Sequence, residues 1–354
     1  MGCGATERNR NRERKTPVSE LVNIARAIVA PGKGILAADE STPTIKKRFD
    51  SIRAESTEES RLSYREMLFT TEGAEEFISG VILFDETLRQ KTSSGVTVPE
   101  LLKSKGILPG IKVDKGAKDF PLASGEKITE GLDGLRDRIA EYRQLGARFA
   151  KWRAVITIGD GIPSRGCIHA NAHALARYAA LCVEGNLVPI VEPEVLMDGS
   201  HTIERCNEVT ELALNAVFSE LRDQRVPLNE IVLKPNMVLS GNTCATQASV
   251  REVAEATLAC FRKTVPEEVP GIVFLSGGQS DELATAHLNE MNKIGGVPWE
   301  LSFSYGRALQ AAPLKAWAGD AANIPAAQQA YFHRARCNSA ARSGEYTDEM
   351  ERAA

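Results

Sequence analysis

The stretch IVLKPNMV, Ile231 to Val238, holds a lysine inside an otherwise apolar run. A run this short reads as a strand buried on both faces, where an ammonium is costly unless its surroundings compensate for it or use it. It is one of eight such runs rich in Val, Ile, Leu and Phe. In chain order they are KGILAADE from Lys33, FISGVILFDE from Phe77, PGIKVDK from Pro109, ARFAKWRAVI from Ala147, LVPIVEPEV from Leu187, EIVLKPNM from Glu230, GIVFLSGG from Gly271 and ELSFSYG from Glu300.

Helical patterns fill the intervals. Thr97 with Glu100 and Ser56 with Glu59 have capping-box spacing. Leu132, Leu135, Ile139 and Tyr142 form a stripe closed by Gly146, and further stripes run through Val209, Leu212, Ala216 and Val217, then Val250, Val253, Leu258 and Phe261. Eight alternating strand and helix units without a long linker predict an α/β fold, a (β/α)₈ TIM barrel over residues 17–335, rather than two doubly wound domains. Within that span an N-terminal helix through Leu21, Ile24, Ala25 and Ile28 precedes the first run. The polar, alanine-rich end, CNSAARSGEYTDEMERAA, predicts a flexible tail over 336–354. Residues 1–16 are polar and unpatterned and are expected to be a disordered arm. Their opening MGCGAT fits a myristoylation pattern, with Cys3 and the basic flank Arg8, Arg10, Arg12 and Arg14 beside it, but so short a motif matches often.

The chain has 354 residues, 43% hydrophobic and 25% charged, and a formal net charge of −4, which argues against a general nucleic-acid binder and leaves small anionic ligands open. No apolar run approaches the roughly 20 residues of a membrane helix, and the N-terminus lacks a secretory h-region, so no membrane association and a cytoplasmic location are expected. The seven cysteines are scattered, odd in number and free of C-x-x-C pairs, as reduced packing thiols would be.

In a barrel the chemistry sits at the carboxyl ends of the strands. Asp39, Asp85, Lys112, Lys151, Arg153, Glu192, Glu194 and Lys234 all fall there. Alternation puts Lys151 and Arg153 on one face of their strand, and Glu192 and Glu194 on one face of theirs. Asp85 and Asp114 read as orienting or loop residues. A free lysine, with its pKa near about 10.4, is a poor nucleophile at neutral pH, whereas desolvation and a neighbouring cation such as Lys151, Lys112 or Arg153 favour the neutral amine. Lys234 is then either a Schiff-base nucleophile with carboxylates to move protons, or half of a buried ion pair. After the seventh run Ser276, Gly277 and Gly278 suit an anion, and after the eighth Gly306 and Arg307 do, at the two loops that frequently bind phosphate in barrels.

Through GKGILAADES, GIKVDKG, KWRAV, VPIVEPE, IVLKPNMV, FLSGGQS and SFSYGRALQ, in matching order from about Leu21 to Tyr346, the chain resembles the class I fructose-bisphosphate aldolases. The resemblance implies metal-independent cleavage of fructose 1,6-bisphosphate to dihydroxyacetone phosphate and glyceraldehyde 3-phosphate, a barrel, and a homotetramer, with sugar phosphates as partners and no cofactor. It further implies that Lys234 attacks the C2 ketone, that Glu192 is the acid/base of imine formation, and that Asp39 takes the C4 hydroxyl proton. Lys151 would position Glu192 and support proton transfer, and Glu194 would have an auxiliary role. Arg153 and Lys112 would contact substrate or phosphate, Ser276, Gly277, Gly306 and Arg307 the C1 phosphate, and Ser41, Lys47 and Arg48 the C6 end. Two departures stand out: many members end in a tyrosine that helps protonate the enamine, whereas this chain ends DEMERAA with Tyr346 well before it. Pro43 replaces a glycine often found there.

Three rival readings remain, one of them a relative that uses another sugar phosphate. His169 and His173 have metal-ligand spacing, but HANAH lacks a third ligand, so no metal is expected. A barrel that binds sugar phosphates without turnover is the non-enzymatic alternative; the intact charged set speaks against it.

Overall fold

The computed structural model describes residues 19–352. The arm over 1–16, with its acylation motif, lies outside the described residues. Eight parallel strands close into a barrel, each hydrogen-bonded to its sequence neighbour and the last to the first. They are β1 Gly34–Ala38, β2 Ile78–Leu83, β3 Leu108–Lys112, β4 Phe149–Ile156, β5 Val188–Val195, β6 Val232–Leu233, β7 Gly271–Phe274 and β8 Glu300–Tyr305. All eight predicted runs are barrel strands.

Alternation divides each strand between two cores. In β4, Ala150, Trp152 and Ala154 pack outward against the helices, while Phe149 points inward to join Ile35, Ile82, Val188, Ile190, Val232 and Val273. The N-terminal helix Glu20–Ile28 closes the bottom of this inner core with Leu21, Ile24, Ala25 and Ile28. Because side chains repeat with period two, the residues above Phe149 on the same face are Lys151 and Arg153, and those above Val188 and Ile190 are Glu192 and Glu194. The barrel is therefore apolar low down and charged at its carboxyl rim.

Phe149 occupies so much of the inner core that its neighbours must be small. A Cβ on Gly110 would lie 2.2 Å from the Phe149 ring, and one on Gly80 2.9 Å from it. Gly110→Ala is expected to cost about 1–3 kcal/mol through overpacking. A lowered urea midpoint with an unchanged m-value would report it.

Helix starts follow local chemistry. Ser164, Thr202, Ser249 and Ser280 each accept a backbone N–H of the first turn that they precede. Thr97 and Glu100 form the predicted capping box, whereas the cap at the next predicted site is Thr57 with Ser60, one residue beyond Ser56 and Glu59. Pro43 sits in the first turn of the helix Thr42–Ser51, where a missing N–H costs nothing.

Two features differ from the sequence reading. A short antiparallel pair, Ala117–Asp119 with Lys127–Thr129, sits on the loop after β3. The expected tail boundary at 335 falls inside the helix Ile324–Arg342, which is followed by a short helix, Asp348–Arg352. Cys337, Asn338 and Ala341 are buried there. Arg342 reaches carbonyls of Ala30 and Leu301 at 3.1 and 2.8 Å, and Ser339 that of Gly32 at 2.7 Å, so polar side chains add to the anchoring by the buried Tyr331, Ala335 and Ala341.

Candidate active site

The carboxyl rim opens into a cleft of about 500 Å³. Asp39 follows β1, Lys112 ends β3, Lys151 and Arg153 come from β4, Glu192 and Glu194 from β5, and Lys234 follows β6. Ser276 and Gly277 belong to the loop after β7, Gly306 and Arg307 to the junction after β8, and Ser41, Lys47 and Arg48 to the first helix after β1 and its cap. All of these residues line the same cleft.

At its floor the charges interlock. Lys234 Nζ lies 3.1 Å from Glu192 Oε1, and Lys151 Nζ lies 3.2 Å from Glu192 Oε2 and 2.6 Å from Asp39 Oδ2. Lys234, Lys151 and Glu192 are each about 3% exposed, so these groups meet out of bulk water. Burial alone raises the pKa of the Asp39 carboxyl, but the Lys151 and Lys234 cations outweigh it and hold the group well below the usual carboxylate range. Glu192 is likewise displaced: burial opposes ionisation, and Lys151, Lys234 and Arg153 more than offset it, lowering its pKa. For Lys151 burial opposes the charge, while Asp39, Glu192 and Asp114 restore and exceed it, so the ammonium is retained well above its ordinary range.

Arg153 donates through Nε to Glu194, and Lys112 to the Asp114 carboxylate. Asp114 also accepts the backbone N–H of Arg153 at 3.2 Å, which makes it an orienting residue behind the cleft. Asp85 is different: it pairs with Arg89 on the surface and is not in the cleft. His169 and His173 lie exposed on the outer helix Arg165–Glu184, where His173 faces Glu220 at 3.2 Å.

Lys47, Arg48, Lys112, Lys151, Arg153, Lys234 and Arg307 line the cleft against Asp39, Glu40, Glu192 and Glu194, so cations outnumber carboxylates and an anion is favoured. Arg307 stands among these cations. Burial, and then repulsion from Arg48 and Arg153, lowers its pKa, and it reaches the carbonyl of Gly277 across the two phosphate-suited loops.

Several residues in and beside the cleft escaped the sequence reading. Glu40, 6% exposed, pairs with Arg48 and Arg65 and accepts from Gln310 Nε2 at 2.7 Å, fixing the arginine that it faces. Ser304 shares the inward face of β8 with Ser302, and its buried hydroxyl has no partner among the described residues. The alternation in SFSYG carried that signal. Met197 accepts the Gly278 N–H at 3.1 Å through its sulfur, shaping the loop beside the arginines.

A family model for "Glycolytic: Fructose-bisphosphate aldolase class-I" matches residues 20–354. The chain belongs to that family. It is 59% identical over 330 residues to "Probable fructose-bisphosphate aldolase class 1" of Xanthomonas axonopodis pv. citri, covering 93% of this chain and 99% of that one. It is 57% identical over 329 residues to "Fructose-bisphosphate aldolase 1" of Toxoplasma gondii, covering 92% and 91%. Among solved structures, fructose-bisphosphate aldolase from Plasmodium falciparum, in complex with TRAP and a small molecule inhibitor, superposes with a TM-score of 0.91 at 51% identity, covering 92% of this chain and 95% of that one. The aldolase is a lyase that reversibly cleaves fructose 1,6-bisphosphate to dihydroxyacetone phosphate and glyceraldehyde 3-phosphate through a lysine Schiff base.

Proposed function

We propose that Lys234 is the lysine that forms the Schiff base, with Glu192, Asp39 and Lys151 dividing the proton transfers among them. The observation that carries this assignment is the continuous chain of contacts from Lys234 through Glu192 and Lys151 to Asp39 on the cleft floor. Glu192 accepts the Lys234 ammonium proton across 3.1 Å, which frees the amine to add to the C2 ketone. The same carboxyl then protonates the carbinolamine hydroxyl, and water leaves. Asp39, held as a carboxylate, takes the C4 hydroxyl proton. The C3–C4 bond breaks, its electron pair moves into the iminium, and glyceraldehyde 3-phosphate departs. Protonation of the enamine and hydrolysis release dihydroxyacetone phosphate. Lys151 stays cationic and positions both carboxylates. Tyr346 lies elsewhere: it is buried against Glu351 and does not line the cleft.

Borohydride reduction of the chain with fructose 1,6-bisphosphate tests the assignment, since it fixes the imine as a stable amine. Peptide mapping is expected to place the added mass on Lys234, and an adduct on Lys151 or Lys112 would reverse the roles.

Phosphate recognition belongs to Arg307, Ser276, Gly277 and Gly306 at the C1 end and to Ser41, Lys47 and Arg48 at the C6 end, with Arg153 and Lys112 between them and Glu194 holding Arg153. Arg307→Ala removes a charge-assisted contact worth about 1.5–3 kcal/mol, or roughly 10- to 100-fold in KM, with little change in kcat. The same factor is expected for fructose 1-phosphate. If KM rises for the bisphosphate alone, Arg307 serves the C6 end instead.

We place the reaction in the cytosol, on a homotetramer. No described helix is long and apolar enough to cross a membrane, and a 53% identical relative from Arabidopsis thaliana carries the name "Fructose-bisphosphate aldolase 4, cytosolic". Sedimentation of the purified chain tests the tetramer.

A further inference from the structure

Three chemically different ligand groups meet on the outside of the barrel, among residues that do not line the cleft. His333 and Cys337 are one turn apart on the helix Ile324–Arg342, so their side chains share a face. Glu351, from the helix Asp348–Arg352, lies over them. His333 Nε2 is 3.6 Å from Cys337 Sγ and 3.4 Å from Glu351 Oε2, and the three ligand atoms all lie within 4.8 Å of one another.

We propose that His333, Cys337 and Glu351 form a zinc-type metal site that fastens the helix Asp348–Arg352 to the helix Ile324–Arg342. The spacing carries the argument. Tetrahedral zinc at about 2.0–2.1 Å from nitrogen, about 2.3 Å from sulfur and about 2.0–2.2 Å from oxygen sets nitrogen and sulfur roughly 3.6 Å apart, and nitrogen and oxygen roughly 3.4 Å apart. The two His333 separations therefore already match those around a tetrahedral ion. A thiol, an imidazole and a carboxylate suit zinc, cobalt or cadmium and not magnesium or calcium.

The carboxylate is already oriented. Tyr346 donates its hydroxyl to Glu351 Oε1 at 2.7 Å, and Arg334 Nη1 contacts both carboxylate oxygens. Arg334 is itself held through Nη2 by Thr285 Oγ1 at 2.8 Å. Metal on Oε2 takes the place of the Arg334 contact to that oxygen, while Tyr346 and Arg334 keep Oε1 and serve as the outer contacts that fix a metal-ligating carboxylate. Cys337 is buried, while the His333 and Glu351 side chains are 12% and 21% exposed, which leaves an entry path and room for a water as fourth ligand. Binding releases the Cys337 thiol proton to solvent and forms the metal–thiolate bond. Cys337 and Glu351 stand in the stretch read from sequence as tail and His333 just before it, which is why their meeting was not legible there.

Titration of the full chain, stripped with chelator, with Co²⁺ tests the proposal. Saturation at one equivalent is expected, with visible d–d bands of tetrahedral cobalt and a near-ultraviolet thiolate-to-cobalt band, both lost when Zn²⁺ displaces the cobalt. Cys337→Ser is expected to abolish the thiolate band, and Cys244→Ser, at a partly exposed thiol, to retain it. Glu351→Gln, which keeps an amide oxygen for Tyr346 and Arg334, is expected to weaken binding by at least about 10-fold. In the unsubstituted chain Zn²⁺ is expected to slow amide exchange over residues 346–352, and in Glu351→Gln to leave it unchanged. The proposal is overturned if no stoichiometric binding occurs, or if Cys337→Ser keeps the band, or if Glu351→Gln binds cobalt as tightly as the parent.

Discussion

Lys234→Arg is expected to lower kcat by at least about 10⁴-fold and to leave no borohydride-trapped adduct, while the chain still folds and still binds fructose 1,6-bisphosphate. Guanidinium remains protonated throughout the accessible pH range and has no lone pair to offer a ketone. It nevertheless keeps a cation beside Glu192, whose oxygen lies 3.1 Å from the native amine. That separates the chemistry from the electrostatics. Lys234→Ala would confound them, because it leaves a 3% exposed carboxylate with one cation fewer and costs stability as well as activity. Binding should be measured by calorimetry and turnover by a coupled assay on the same preparation. Turnover within tenfold of the parent would remove Lys234 from the nucleophile's role.

The reason Lys234 was legible in sequence is that a parallel barrel strand is buried on both faces, so any charge in it stands out against Val, Ile and Leu. The same holds for Lys151, Arg153, Glu192 and Glu194, and their period-two spacing gave the shared face as well. Position along the strand supplied the rest, since the carboxyl end of each run is the open end of the barrel. What escaped notice obeys a different logic. Glu40 works through Arg48, Arg65 and Gln310, partners that only the closed fold brings together. Met197 acts through a sulfur contact that no periodicity encodes. The helix Ile324–Arg342 buries Arg334, Asn338 and Arg342 among Ala327, Tyr331, Ala335, Cys337 and Ala341, so polar groups interrupt its inner face and hydrogen bonds to carbonyls help to hold it. A reading based on hydrophobic period passes over such a helix. The pair Ala117–Asp119 and Lys127–Thr129 is too short and too exposed to alternate visibly.

These differences bear on how the site is held. Asp39, Lys151, Glu192 and Lys234 come from or directly follow four different strands, and no two of them are adjacent in sequence. Their geometry is set by strand register: Lys112 pairs with Lys151, Lys151 with Ile190, and Ile190 with Val232. A slip of one residue in any strand would turn its charges into the helix layer. The apolar inner core beneath them, packed around Phe149, is thus part of the catalytic arrangement.

Asp39→Asn is expected to lower kcat for cleavage by about 10²- to 10⁴-fold, the range for loss of a general base, yet to leave the borohydride adduct on Lys234 intact. An amide cannot accept the C4 hydroxyl proton, but imine formation runs through Glu192 and Lys234, and both remain. The variant should therefore accumulate imine that does not cleave. Loss of the adduct along with turnover would place Asp39 in imine formation instead. The same variant carries a stability signature. The pKa of Asp39 is depressed in the folded chain by Lys151 and Lys234 against the opposing effect of burial. Its ionised form therefore contributes stability that is complete above the unfolded value of about 3.9 and is lost as pH falls through the lower folded value. The parent should exceed Asp39→Asn in urea midpoint at neutral pH, and the gap should narrow only when the pH drops below about 3.9. A gap that is constant from neutral to strongly acid solution would mean that the Asp39 carboxylate is not what Lys151, at 2.6 Å, holds in place.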